Sequence, residues 1–328
     1  MGKASVSRRR WFGLVLLAAI VASSGARAQS YPTGSIRLLV AFTPGGPSDV
    51  LARIVGERMS LRLGQPVVIE NRPGAGGNVA AEIVANAPAD GYTLLNANNS
   101  ILATNAALYR HLPFDPLRDF APISLIGSQP NILVVHPSLP VHSVADLVAL
   151  AKAEPGKLNY GSSGNGTAAH LAAELFRLRA GIDIVHVAYR GAAPALTDLT
   201  SGRLQLMFAT SASVLQFIES GTLRAVAVTT AERSAAVPDL PTVAESGFPD
   251  FEATTWHGLV APAKTSPAVV EKLNQTVVAV LRETDIRQRL AGLGVEIVGD
   301  SPAEFGAYIR SESAKWAAVV KSAGIQIE

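Results

Sequence analysis

The stretch IRLLVAFTPGGPSDVLARIVGERM, residues 36–59, runs from an apolar strand through a Gly/Pro turn directly into a helical repeat, and this plan recurs along the chain. Ile36 to Phe42 reads as a strand, and Leu51, Ile54, Val55 and Met59 fall on one helix face. A strand from Val67 to Glu70, the loop NRPGAGGN, a helix through Ala80 to Ala85 and the strand GYTLLNA follow. That βαβαβ order predicts a parallel sheet, because parallel neighbours need a long crossover and a helix is the usual one. Further on, SVADLVALAKAEPG reads as a helix capped by Ser143, with Asp146 at capping-box spacing and an apolar face of Val144, Leu147, Val148 and Leu150. KLNYGSSGNGTAAHLAAELFRLRAG then repeats the opening design: a strand to Tyr160, a Gly/Ser loop, and a helix with Leu171, Leu175 and Leu178 toward the core. IDIVHVAY, RGAAPALTDLTSG and LQLMFA complete a second βαβ series. The halves share a plan without sequence identity, and the class is α/β.

A strand that ends in glycines at the mouth of a helix exposes unpaired N–H groups and the positive end of the helix dipole, a natural place for an anion. Turn geometry alone also favours glycine and proline there. Two such loops, Thr43 to Asp49 and Ser162 to Thr167, would double the anion-binding device if the two halves form lobes facing across a cleft. About 300 residues is long enough to prefer two lobes to one core.

The N-terminus fixes the expected compartment. Arg8, Arg9 and Arg10 precede an apolar run from Trp11 to Ala22, and Ala26-Arg27-Ala28 supplies a small-x-small cleavage site, so residues 1–28 read as a signal peptide. The run is about half the roughly 20 residues of a membrane span, and SRRRWFG resembles a twin-arginine export signal without excluding the general secretory route. The signal carries five of the 28 lysines and arginines and none of the 26 acids, so the remainder sets 23 bases against 26 acids. With no basic excess, nucleic-acid binding is not expected. The chain has no cysteine, which excludes disulfides, thiolate catalysis and cysteine metal sites.

Catalytic readings find little. A serine hydrolase needs its nucleophile on a G-x-S-x-G elbow, and GSSGNG has the composition without the spacing, so Ser163 reads better as a hydrogen-bond donor to a ligand. His170 reads as a helix-packed structural residue, with ligand contact as the second choice. His111, His136, His142, His170, His186 and His257 include no i, i+4 pair and no H-E-x-x-H, so no metal centre is expected. NRPGAGGN lacks the third glycine of a dinucleotide fingerprint and reads as a structural loop. Asp49 favours a helix N-terminus, and its carboxylate offers a partner to an amine or a bridging water. Asn98 and Ser100, just past a strand's carboxyl end, are cleft candidates or loop caps. Arg190 is a carboxylate partner or an exposed loop residue, and Trp256 reads as core or hinge packing.

Taken together, IRLLVAFTPGGPSDVLAR, LGQPVVIENRPGAGGN, ADGYTLL, FDPLRDFAPISLIG, LNYGSSGNGTAAHLAAELF, VAYRGAAPALTDLTSG, PDLPTVAESGFPDFEATTWHGLVAPAKT and AEFGAYIRSESAKWAAVVKSAGI resemble the Bug family of periplasmic solute-binding receptors, associated with tripartite tricarboxylate transporters. The resemblance spans Tyr31 to Ile325. It implies a type II periplasmic-binding-protein fold, two α/β lobes joined by two crossing segments, closing on a small carboxylated solute without cofactor or catalysis. Its first-lobe binding loop corresponds to Thr43, Pro44, Gly45, Gly46, Pro47, Ser48 and Asp49, and its second to Ser162, Ser163, Gly164, Asn165, Gly166 and Thr167, with His170 just behind. Such receptors typically hold carboxylates through backbone N–H groups, hydroxyls and waters. One departure is the family's acid in a phrase like FDN, where this chain has Phe208-Ala209-Thr210-Ser211; that argues against an amino-acid ligand and leaves Thr210 and Ser211 as contacts.

The expected organisation is a signal peptide at 1–28, a discontinuous first lobe at 29–129 and 254–328, and a second lobe at 130–253, crossing near SQPNIL and EATTWHG. The expected role is capture of a di-, tri- or aromatic carboxylate in the periplasm by a monomer that delivers it to large and small membrane permease subunits. A receptor presenting its closed form to a signalling partner, and an exported hydrolase using Ser163 and His170, are the rival readings.

Overall fold

Strand β1 (Ile36–Val40) is buried at all but one position and lies between two parallel neighbours, which is why it carries a near-continuous apolar run. The remaining strands are β2 (Val67–Asn71), β3 (Thr93–Asn98), β4 (Phe120–Gln129), β5 (Asn131–Val135), β6 (Asn159–Ser162), β7 (Val185–Ala188), β8 (Leu206–Thr210), β9 (Arg224–Val228), β10 (Thr255–Pro262) and β11 (Glu296–Ile297). They form a six-stranded sheet in the order β11-β4-β10-β3-β1-β2 and a five-stranded sheet in the order β7-β6-β8-β5-β9. The computed structural model describes residue 2, residues 31–189 and residues 191–326. The signal-peptide reading therefore falls outside the described residues except at Gly2, and Arg190 falls outside them as well. No helix among the described residues is long and apolar enough to cross a membrane.

Both sheets are mixed, where the βαβ reading anticipated parallel ones. The β1, β2 and β3 strands pair in parallel, as do β6, β7 and β8, but β10 runs antiparallel to β3 and β4, and β5 antiparallel to β8 and β9. The reversed strands are the ones that carry the chain between sheets. Only Pro130 separates β4 from β5, so one extended run leaves the first sheet and enters the second without a helical crossover.

Asn131 laces the two passages together. Its Nδ2 donates to the Ala253 carbonyl at 2.7 Å, its Oδ1 accepts from Thr255 Oγ1 at 3.2 Å, and Thr229 Oγ1 donates to the carbonyls of both Asn131 and Ala253. All of these groups are buried, where an unpaired polar atom is costly.

The helices of eight residues or more are α1 (Pro47–Leu63), α2 (Asn78–Ala85), α3 (Val144–Ala153), α4 (Ala168–Ala180), α5 (Ala192–Thr200), α6 (Ser211–Glu219), α7 (Pro267–Leu281), α8 (Thr284–Ala291) and α9 (Pro302–Ala323). Leu51, Ile54, Val55 and Met59 are buried on α1 as the periodicity predicts. On α4 the prediction slips: Leu175 and Leu178 are only half-buried, and Leu171, Ala172 and Phe176 make the core face. Ser143 caps α3 by accepting the Asp146 N–H, and Ser301 with Glu304 forms a capping box on α9. In the core beside α9, the indole N–H groups of Trp256 and Trp316 both donate to Glu312 Oε2, at 3.0 and 2.9 Å, so Trp256 is a packing residue.

Candidate functional site

The first loop leaves the carboxyl end of β1 and enters α1 through Gly46, a helix cap that offers no side-chain hydrogen bond. The N–H groups of Asp49 and Val50 both turn back to the Gly46 carbonyl, and Pro47 has none. Among the described residues the N–H of Ser48 has no partner, which leaves it as the first-turn donor. Thr43, Pro44 and Gly45 are exposed, while Ser48 and Asp49 are buried.

Asp49 is committed to the loop itself. Its Oδ2 accepts from the Gly45 N–H at 2.9 Å and from Arg53 Nε at 2.9 Å, and its Oδ1 accepts from Asn71 Nδ2 at 2.9 Å. Burial alone would raise its pKa, but the hydrogen bonds from Arg53, Gly45 and Asn71 hold the carboxyl below its ordinary value. The Gly45 amide is thereby consumed in shaping the turn.

The end of β3 comes in beside this loop. Asn96 Nδ2 donates to the Ser48 carbonyl at 3.0 Å, pinning the first turn of α1 to the central strand. Asn98 Oδ1 accepts from the Ile101 N–H at 3.3 Å, a capping role, and Ser100 begins a π-helical turn over Ser100–Thr104. Asn99, between them, is wholly buried, and neither end of its side-chain amide is hydrogen-bonded among the described residues. Sequence reasoning passed over Asn96 and Asn99; the polar run NANNS at a strand's end was the available signal. The loop NRPGAGGN packs here too: a Cβ on Gly77 would sit 2.7 Å from Ile101 Cγ1 and 3.2 Å from Ala41 Cβ, so glycine serves close approach.

The second loop leaves β6 and enters α4. Thr167 caps the helix through its hydroxyl and the His170 N–H, and also donates that hydroxyl to the Gly164 carbonyl at 2.8 Å. The amides of Ala168 and Ala169, on the first turn, have no partner among the described residues. Ser162 is buried and fully engaged, its Oγ meeting the Gly164 carbonyl at 3.0 Å and His186 Nε2 at 2.7 Å. Ser163 and Gly164 are half-buried and Asn165 is exposed.

His170 lies behind the loop with its Nδ1 accepting the Gly166 N–H at 3.0 Å. Its ring stacks on His186 at a centroid separation of 3.9 Å, and His186 stacks in turn on Tyr160 at 4.9 Å. Burial, helped by the neighbouring His186, pushes the His170 pKa down to about 4. Burial also lowers His186. His257, opposite Asn98 in the β3–β10 pairing, is pushed down to about 4 by burial.

Thr210 stands at the N-cap position of α6 without a side-chain cap bond, and its hydroxyl pairs with Ser213 Oγ at 2.7 Å. Ala209, where the resemblance led us to look for an acid, packs in an apolar cluster with Ile132 and Val134. The hydrolase arrangement finds no support: the His170 nitrogen is taken by a backbone amide, and the serine that meets a histidine is the buried Ser162. No group of three or more metal-ligating acids or histidines lies together among the described residues.

A profile described as tripartite tricarboxylate transporter family receptor matches residues 51–325. The chain is 36% identical over 320 residues to BugT of Bordetella pertussis, covering 96% of this chain and 98% of that one. Among solved structures, R. palustris Rpa4515 with adipate is 42% identical with a TM-score of 0.84, covering 90% of this chain and all of that one. MatC from Rhodopseudomonas palustris with bound malate is 31% identical with a TM-score of 0.80, covering 88% of this chain and all of that one.

Proposed function

Because the chain belongs to the Bug-type tripartite tricarboxylate transporter receptor family, a family of periplasmic solute-binding proteins, we propose that it captures a small dicarboxylate between two lobes and delivers it to a membrane permease. Residues 1–28 act in this reading as the cleaved export signal. The lobes are 29–129 with 254–328, and 130–253, and Asn131 joins the passages between them.

One observation carries the ligand class. Each sheet contributes a Gly-rich loop at the carboxyl end of a parallel strand, and each of the two loops opens a helix with first-turn amides that have no partner among the described residues: Ser48 in one, Ala168 and Ala169 in the other. Two anion-binding ends, one per lobe, suit a molecule with a carboxylate at each end. Thr43, Gly46, Ser163, Asn165 and Thr210 are the polar rim in this reading, and closure is a population shift driven by contacts that bridge both loops. The solved relatives hold adipate and malate, both dicarboxylates, which supports the class.

The amine end of an amino acid finds no free acid at these loops, since Asp49 is saturated by three donors. Dicarboxylates without an ammonium group are therefore the favoured ligands. A thermal-shift and calorimetric screen of ligand-stripped protein against adipate, succinate, malate and citrate tests this. A ligand at about 100 times its Kd stabilises the fold by roughly 2.7 kcal/mol. If none of the four raises the melting temperature, the carboxylate-receptor reading fails.

A further inference from the structure

We propose that the stacked imidazoles of His170 and His186 form a clamp that sets the shape of the second-lobe loop, making both histidines positioning residues for ligand capture without touching the ligand. This rests on the reading of that loop as a carboxylate-binding loop. The loop from Ser162 to Thr167 is held at both ends by this one pair. At its start Ser162 Oγ meets His186 Nε2 at 2.7 Å, and near its end the Gly166 N–H donates to His170 Nδ1 at 3.0 Å. The rings are nearly parallel, 14° apart, so moving either one displaces both anchors.

The pair is in turn fixed from beneath. Tyr160 on β6 stacks against His186, and its hydroxyl donates to Glu174, which also accepts two hydrogen bonds from Arg177. His170 and Glu174 sit one turn apart on α4, so the helix that offers Ala168 and Ala169 to the ligand also carries the residues that shape the approach to them. Gly166 explains why an external clamp is needed: its φ of +73° lies in the left-handed region, a conformation a free loop would hold only part of the time. An imidazole Nδ1 that accepts a hydrogen bond must carry no proton, and two rings stacked this closely disfavour a second positive charge. Glu174, Arg177 and Asp183 line the same cavity of about 470 Å³ as the two rings.

The test compares His170→Leu, which keeps volume and removes the acceptor, with His170→Asn, whose Oδ1 stands where Nδ1 does. Adipate affinity by calorimetry at pH 7.5 should fall about tenfold or more in His170→Leu, the loss of one hydrogen bond's ordering, and stay within about threefold of wild type in His170→Asn. Nitrogen-15 NMR of the wild type should show His170 Nδ1 as an unprotonated acceptor. Wild-type affinity in a folded His170→Leu protein, or equal weakness in both variants, overturns the role. Should His170→Leu fail to fold, His170→Ala takes its place in the same comparison: a tenfold loss that His170→Asn does not share supports the clamp, and native affinity or equal weakness overturns it. If the wild type binds none of adipate, succinate and malate, the receptor reading itself falls and this role with it, an outcome distinct from a variant-specific result.

Discussion

Asn71 Nδ2 donates to Asp49 Oδ1 at 2.9 Å, tying the carboxylate at the mouth of α1 to the end of the neighbouring strand β2. The other oxygen of Asp49 holds the Gly45 amide. The second loop has the same device, since Gly166 donates to His170; in both cases a glycine amide meets a side chain four residues later. Asp49→Ala should therefore leave a folded protein, destabilised by about 1–3 kcal/mol through the donors left unpaired, with adipate affinity reduced about tenfold. Thermal melting and calorimetry on the same preparation check both effects, and unchanged affinity would reduce Asp49 to a purely local cap.

Ligand charge gives a second expectation. With Asp49 saturated and Ala209 in an apolar cluster, an ammonium group entering the site would be desolvated without a partner. Succinate should bind more tightly than aspartate, and glutarate more tightly than glutamate, in paired titrations. Tighter binding of either amino acid would refute this.

The two loop glycines should separate approach from strain. Gly46 has φ −76°, and a Cβ there would stand 3.4 Å from the Thr43 carbonyl, an ordinary contact. Gly46→Ala should thus keep its unfolding free energy within about 0.5 kcal/mol of wild type while weakening dicarboxylate binding by crowding the approach to the Ser48 amide. Gly166→Val is strained by its φ of +73°, so it should lose about 1–2 kcal/mol of stability as well as affinity. A Gly46→Ala protein with native affinity would move the carboxylate away from this loop.

Acid should unfold the protein through its buried histidines. In the unfolded chain each takes a proton near pH 6.5, whereas the folded chain holds His170 and His257 neutral down to about 4. The unfolded state thus binds more protons in that window, so stability is intact above pH 6.5 and falls as pH drops toward 4. The slope should be on the order of 1 kcal/mol per pH unit for each histidine. Urea midpoints between pH 7.5 and 4.5 measure it, and His257→Leu should flatten the curve; an unchanged slope in that variant would remove His257 from the account.

Asn131→Leu should destabilise the protein by about 3 kcal/mol, because it removes a buried side chain bonded to both Ala253 and Thr255 and leaves Thr255 Oγ1 unpaired. Chemical denaturation is the direct measurement. A loss below about 1 kcal/mol would mean that the passages between the sheets are held by their strands alone.

The sequence by itself determined the opening run from β1 to β3 with α1 and α2, the run from α3 to β8, both helix-opening loops, the Ser143 cap and the apolar face of α1. These depend on residue spacing and turn chemistry over a few positions, where periodicity and capping act directly. Tertiary structure decided the rest, since partners far apart in sequence depend on how the sheets are paired. The antiparallel strands β5 and β10 carry the same apolar pattern as parallel ones, so their direction is fixed by the route between sheets. Asp49 looked free to meet a ligand until Asn71, 22 residues away, arrived to hold it. His170 and His186 sit on separate elements, and neither advertises the other; only the packing of α4 beside β7 stacks their rings and turns a helix-packed histidine into a partner of the loop.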